Sequence, residues 1–193
     1  MSKRFSPSCE RNQQPILEHL AIHFQDVKQV LEIGSGTGQH AVFFAENLPH
    51  LTWQTSDIID NHPSIKAWRE ESALANLNEP IELMMGRDAW PDLPTDAVFT
   101  ANTTHIMQPE EAKQMMGLVA DSLPKGGVFC QYGPMKIDGA FTSESNREFD
   151  AKITSEGCGG IRDIEQLKTW AKGMQLIEMH TMPANNFLLV WQV

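Results

Sequence analysis

The sequence predicts an α/β fold: a doubly wound, mostly parallel sheet of seven strands in a three-layer α/β/α arrangement, with an antiparallel last strand. Three observations carry this. Short apolar runs of strand type alternate with helical stretches along the chain. A glycine-rich turn follows the first such run and opens a helix. The last two strand-like runs are joined by residues 183–186, short enough for a hairpin. The chain has 193 residues, enough for a sizeable core, and no repeat, low-complexity tract or linker divides it. Residues 1–193 are therefore expected to form a single domain.

The elements follow in order. Pro15 suits the first turn of a helix, where a missing N–H costs little, and Ile16, Leu17, Leu20, Ala21 and Phe24 form one apolar stripe. Residues 27–33 read as a strand ending at the glycines, 39–47 as a helix stopped before Pro49, and 51–55 as a second strand closing on Asp57. Residues 63–74 are helical and 81–85 form a third strand. Residues 97–101, Ala-Val-Phe-Thr-Ala, are apolar enough for a strand buried on both faces. A helix over 109–123 stops at Pro124, and 128–132 is a fifth strand. Helices are expected over 143–154 and 163–172, the second ending at Gly173 as a C-cap. Strands over 174–182 and 186–193 close the chain.

Composition narrows the function classes. Hydrophobic content is 41%, as in ordinary globular proteins, and 25 acidic residues against 15 basic ones give a net charge of −10. Phosphate backbones are repelled by such a surface, and lysine and arginine are scattered, so a small-molecule substrate is expected and nucleic acid is not. Cys9, Cys130 and Cys158 are far apart and form no C-x-x-C, which argues against a disulfide framework or zinc site and fits a reducing cytosol. His19 and His23 have the i, i+4 spacing of metal ligands, but no H-E-x-x-H and no evident third ligand accompanies them. No signal-peptide pattern and no membrane span are read, so a cytoplasmic protein is expected.

The chemistry concentrates in Gly34-Ser35-Gly36-Thr37-Gly38. Glycines let the chain turn sharply and let a ligand approach the backbone without a Cβ in the way, and free N–H groups at the helix start then face that ligand. Two details separate this loop from a dinucleotide site. The dinucleotide fingerprint is G-x-G-x-x-G, and three residues after Gly36 stands Gln39. Glu32, two residues before Gly34, would repel a pyrophosphate but suits an ammonium group, directly or through water. The pattern E-x-G-x-G-x-G resembles the first motif of class I methyltransferases and implies S-adenosylmethionine as cofactor. A tight structural turn is the alternative for the loop itself. Asp57, 23 residues after Gly34 at the end of the second strand, stands where an acid hydrogen-bonds ribose hydroxyls, or else caps a helix.

The same resemblance implies further cofactor contacts. Asp88 follows the third strand, where such enzymes place a side chain on the adenine amino group, with Ala89 giving backbone contacts. Trp90 packs on adenine or fills the core. A helix before the first strand closes over the cofactor in this fold, so that Arg11 can hold the methionine carboxylate while Asn12 fixes the loop; the alternative is a frayed terminus.

Ligands of open α/β sheets bind outside the carboxyl ends of the strands. Asn102, after the fourth strand, is therefore expected to meet cofactor or substrate. His105 is a candidate general base or a structural histidine, and Tyr132 closes the fifth strand on the same face. Ser143 or Ser145 caps the helix that follows, and the polar, aromatic segment 139–146 can form a substrate wall.

Six segments run in one order: 6–12, 31–40, 53–57, 101–106, 141–146 and 182–186. Together they resemble the methyltransferase-like protein 26 family, also called domain of unknown function 938, over nearly the whole chain. The common family form has Ala near Ser8 and Pro near Thr55, both mild differences. The resemblance implies the Rossmann-like class I fold and a methyltransferase, and names no agreed substrate. Two other functions compete. A non-catalytic cofactor-binding protein of the same fold is one. An NAD-binding oxidoreductase is the other; its Tyr-x-x-x-Lys pair has only Tyr132 and Lys136 to offer, and Gly133-Pro134 breaks the helix that motif needs.

Overall fold

The computed structural model describes residues 3–193. Its nine strands and six α-helices run β1 Gln29–Ile33, β2 Thr52–Asp57, β3 Ile81–Glu82, β4 Ala97–Ala101, β5 Val128–Gly133, β6 Lys136–Ile137, β7 Ala140–Phe141, β8 Gln175–Met182 and β9 Asn186–Gln192, with α1 Pro7–His23, α2 Gln39–Asn47, α3 His62–Ser72, α4 Pro109–Ser122, α5 Glu144–Ser155 and α6 Ile164–Trp170. Seven strands form one sheet in the order β3-β2-β1-β4-β5-β9-β8, and β6-β7 is a separate hairpin. The expected α/β fold is the one observed: a mostly parallel sheet flanked by helices, with β9 antiparallel to both β5 and β8.

Two compact units divide the chain. The first comprises residues 3–84 and 89–100. Here β1 pairs in parallel with β2 and with β4, so both its edges are satisfied, and Val30, Leu31 and Ile33 are buried together with Glu32. Helix α2 packs between α1 and α3. Beneath them Phe24, Phe44, Trp53 and Phe99 interlock with ring centroids 5.3–6.5 Å apart. Aromatic burial of this kind dominates core energetics.

Helix α1 begins at Pro7, not at Pro15. Ser6 caps it through the N–H of Cys9, and Pro7 takes a position at the helix start where proline is favoured. Pro15 lies inside the helix and removes the donor for the carbonyl of Arg11, an exposed position where water can serve instead. Strand β3 ends after two residues, short of the expected 85, because its only partner, β2, ends at Asp57.

The second unit comprises residues 85–88 and 101–193. Its core is the antiparallel set β5, β9 and β8, with α4 packed against α6. Asp163 caps α6 through the N–H of Glu165. The helix ends two residues before its expected limit. Lys172, not Gly173, takes the left-handed conformation there, with φ 52°. The hairpin turn uses positive φ at Ala184 and Asn185. The β6-β7 hairpin was not expected from the apolar pattern. Its turn, Asp138-Gly139, has positive φ at both residues, the signature of a two-residue turn whose Asp-Gly pair was present in the sequence.

Candidate functional site

The glycine loop leaves β1 and enters α2 with positive φ at Gly34, Gly36 and Gly38. The three glycines serve different ends. A Cβ on Gly38 would lie 2.9 Å from the Cα of Ile65, so this glycine is needed for the loop to pack on α3. A Cβ on Gly36 would meet nothing within 4 Å. The backbone at Gly36 therefore borders open space, which leaves room for a ligand to approach it and is shared by glycines of surface turns such as Gly126 and Gly139.

Asp57 sits at the end of β2 and is buried. Its Oδ2 accepts the Gly36 N–H at 2.6 Å, and its Oδ1 accepts from the Ile58 N–H and from Asn61 Nδ2, both at 2.7 Å. The acid expected to reach ribose thus also ties the loop to the strand end. Each carboxylate oxygen can accept more than one hydrogen bond, so this engagement leaves acceptor capacity.

Glu32 lies beneath the loop, 1% exposed. Its Oε2 accepts from Ser35 Oγ at 2.8 Å and from the indole N–H of Trp53 at 3.1 Å. Burial pushes its carboxyl up to about 7, against the lowering effect of the two donors. Burial thus disfavours the charged form of Glu32 relative to a solvated carboxyl. Ser35 is its link to the loop, since Ser35 Oγ also accepts the Ser56 N–H at 3.2 Å. Thr37 turns its hydroxyl to Gln39 Oε1 at 3.1 Å.

Helix α1 packs beside the loop through Asn12, whose Oδ1 lies 2.6 Å from His40 Nε2 in a buried contact. Burial pushes the His40 imidazole down to about 4, so it is neutral, with its ring stacked on Phe44. Asn12 therefore ties α1 to the start of α2, and its observed partner is a helix residue, not the glycine loop. Arg11 is exposed and donates to Ser8 Oγ at 3.2 Å. The arginine that reaches the loop is Arg4, whose Nη2 donates to the Gly36 carbonyl at 3.3 Å and to Asn61 Oδ1 at 2.6 Å. Sequence reasoning passed over Arg4 because it precedes the helix cap and belongs to no recognised motif.

In the second unit, Asn102 follows β4 with φ 59°, a conformation unusual for a non-glycine residue and enriched at functional sites. Its N–H donates to the Tyr132 carbonyl at 2.9 Å. A Cβ on Gly133 would lie 3.7 Å from Asn102 Oδ1 and 3.9 Å from His105 Nδ1. Asn102, His105 and the end of β5 are therefore brought together. His105 is 6% exposed, edge-on to Phe149 at 5.2 Å, and burial aided by the Arg162 charge pushes its imidazole down to about 4. Tyr132 itself is 2% exposed. Tyr132 lies on β5 and Lys136 on β6, so they do not share the helix an oxidoreductase pair needs. Asp88 makes a two-point ion pair with its neighbour Arg87, both contacts at 2.8 Å, and Ala89 beside it is exposed.

The family model for proteins of unknown function, DUF938, matches residues 3–193. The chain belongs to the DUF938 family. Solved structures place this DUF938 protein within the methyltransferase fold. An O-methyltransferase family protein from Burkholderia thailandensis superposes with a TM-score of 0.78 at 16% identity, over 93% of this chain and 55% of that one. An O-methyltransferase family 2 protein from Planctomyces limnophilus, in complex with apigenin, gives 0.76 at 15%, over 94% and 61%. Human N-acetylserotonin methyltransferase, in complex with S-adenosylmethionine, gives 0.73 at 12%, over 93% and 54%. The chain spans little more than half the length of these proteins, and the likeness is one of fold. Among the described residues, no helix is long and apolar enough to cross a membrane.

Proposed function

We propose that this protein is a single-domain, S-adenosylmethionine-dependent methyltransferase acting on a small molecule, and that its kinship to methyltransferase-like protein 26 is genuine. The observation that carries the reading is Gly36: left-handed backbone bordering open space, with the Asp57 carboxylate bonded to its N–H. Hydroxyl-seeking Asp57 and cation-seeking Glu32 suit a ligand with a ribose and an ammonium. An acid at Asp57 suits the ribose of either cofactor class, so Glu32 beneath the loop, which suits a pyrophosphate poorly, is what disfavours a dinucleotide.

In this reading the backbone from Gly34 to Gly38, with Ser35 and Thr37, cradles the cofactor, Asp57 takes the ribose hydroxyls, and Glu32 serves the methionine ammonium through Ser35 or water. Asp88 and Ala89 serve adenine, Asn102 the cofactor or the acceptor, and Arg11 the methionine carboxylate. When bound, S-adenosylmethionine supplies a sulfonium methyl for in-line displacement: the acceptor–carbon bond forms as the carbon–sulfur bond breaks, leaving S-adenosylhomocysteine. The chain's own task is to hold donor and acceptor aligned and exclude water.

His105 and Tyr132 are the proposed acceptor-side residues. An imidazole with its pKa pushed down to about 4 is neutral at pH 7 and a weak base. His105 therefore orients an acceptor hydroxyl or amine by hydrogen bonding, and the acceptor's proton leaves to solvent. The test is release of S-adenosylhomocysteine on incubation with panels of phenols, carboxylic acids, amines and thiols. Turnover with one panel supports the enzyme. Tight cofactor binding without turnover on any panel supports the non-catalytic alternative.

A further inference from the structure

A ring of hydrogen bonds joins the N-terminal segment to the ribose corner. Arg4 Nη2 donates to the Gly36 carbonyl at 3.3 Å and to Asn61 Oδ1 at 2.6 Å. Asn61 Nδ2 donates to Asp57 Oδ1 at 2.7 Å. Asp57 Oδ2 accepts the Gly36 N–H at 2.6 Å, which closes the ring on the residue where it began. Gly36 and Asp57 are thus held by one circuit.

The segment bearing Arg4 is itself tied down. The Arg4 N–H donates to Ser64 Oγ at 2.9 Å, and the Arg4 carbonyl accepts the indole N–H of Trp68 at 2.8 Å. Ser64 Oγ in turn donates to the Thr37 carbonyl at 2.8 Å. The Ser6 N–H donates to Gln39 Oε1. Residues 4–6 therefore form a strap anchored to α3 and to the start of α2, and Arg4 is its only side chain bonded to Gly36 among the described contacts.

Resting on the cofactor reading above, we propose that Arg4 is a cofactor-positioning residue: it locks the Asn61–Asp57 pair in the orientation that receives the ribose hydroxyls. The physical reason is donor and acceptor polarity. A guanidinium has donors only, so it accepts no arrangement in which the Asn61 amide nitrogen faces it. Asn61 Oδ1 must face Arg4, and Asn61 Nδ2 must then face Asp57. Without Arg4 the Asn61 side chain keeps only its bond to Asp57 of these two anchors, so it swings more freely and holds Asp57 Oδ1 less firmly, while the Gly36 and Ile58 N–H bonds to the carboxylate remain. Arg4 acts through Asn61 and touches no reacting atom.

Isothermal calorimetry with S-adenosylhomocysteine on the full chain tests this, using wild type, Arg4→Ala, Asn61→Ala, the double variant and Arg4→Lys, with hydrogen exchange of the Gly36 amide measured in each without ligand. Arg4→Ala and Asn61→Ala are each expected to weaken binding about tenfold, and the double variant no further, since both break one circuit. Arg4→Lys, which keeps the donors but loses the planar fork, restores part of the loss. The Gly36 amide exchanges several-fold faster in Arg4→Ala at an unchanged unfolding midpoint. Wild-type affinity in Arg4→Ala, or additive losses in the double variant, overturns the proposal. If wild type itself binds nothing, the cofactor reading fails on its own; unaltered Gly36 exchange in Arg4→Ala then overturns the ring as well, and faster exchange upholds it.

Discussion

Asp57 Oδ2 accepts the backbone N–H of Gly36 at 2.6 Å, so the acid at the end of β2 shapes the turn after β1. A charge-assisted bond of this kind contributes about 1.5–3 kcal/mol. The same carboxylate is the proposed ribose ligand. Asp57→Asn is therefore expected to weaken S-adenosylhomocysteine by about 10- to 100-fold, with a smaller fall in thermal stability. Calorimetry and thermal melts on the same preparation separate the two. A variant that keeps wild-type affinity would remove Asp57 from the site.

The glycines provide a second, paired prediction. Gly38→Ala places its Cβ 2.9 Å from the Ile65 Cα at φ +96°, so it costs stability, about 1–3 kcal/mol from backbone strain alone. Gly36→Ala points its Cβ into open space at φ +59°, a region that other residues enter at modest cost. It should stay folded in urea titration and lose cofactor. Equal loss of stability in both variants, with cofactor affinity retained in Gly36→Ala, would make the loop a structural turn.

Glu32 makes stability depend on pH with a definite sign. Its folded pKa is raised to about 7, above the unfolded value near 4.5. Its contribution is thus fully present below about pH 4.5 and is lost as pH rises to 7 and beyond. Glu32→Gln cannot ionise, so the difference between variant and wild type should move in the variant's favour by roughly 3 kcal/mol between pH 5 and pH 8. Chemical denaturation at both pH values reads it. A difference independent of pH would place the Glu32 carboxyl in an ordinary, solvated state.

His40 and His105 act in the opposite direction. Their folded pKa values lie near 4, below the unfolded value of 6.5, so their contributions are complete above about pH 6.5 and fade as pH falls toward 4. For catalysis the consequence is a rate with no inflection at pH 6–7 from His105. His105→Ala should lower turnover while leaving the shape of the pH–rate profile unchanged over that range. An inflection near 6.5 that vanishes in the variant would make His105 a true general base.

The central strands were legible because they are buried along their length and write apolar runs, as at 97–101, and because glycine and proline mark the turns. The candidate residues Glu32, Gly36 and Asp57 were legible because they lie in β1, in the glycine turn after it and at the end of β2. Arg4 was not, since its partners Gly36 and Asn61 are 32 and 57 residues away and no periodicity records such a pairing. The early start of α1 was missed because Pro15 reads as a helix start when Pro7 and its Ser6 cap are overlooked. The Asp138-Gly139 turn was missed because two-residue strands carry no alternation to detect.

Cofactor binding by the glycine loop is the central claim, and calorimetry of the wild-type chain with S-adenosylhomocysteine tests it most directly, with NAD as the competing ligand. One-to-one binding of S-adenosylhomocysteine is expected, lost in Gly36→Ala and weakened in Asp57→Asn, with no binding of NAD. Binding of NAD, or no heat from S-adenosylhomocysteine with folded protein, would contradict it.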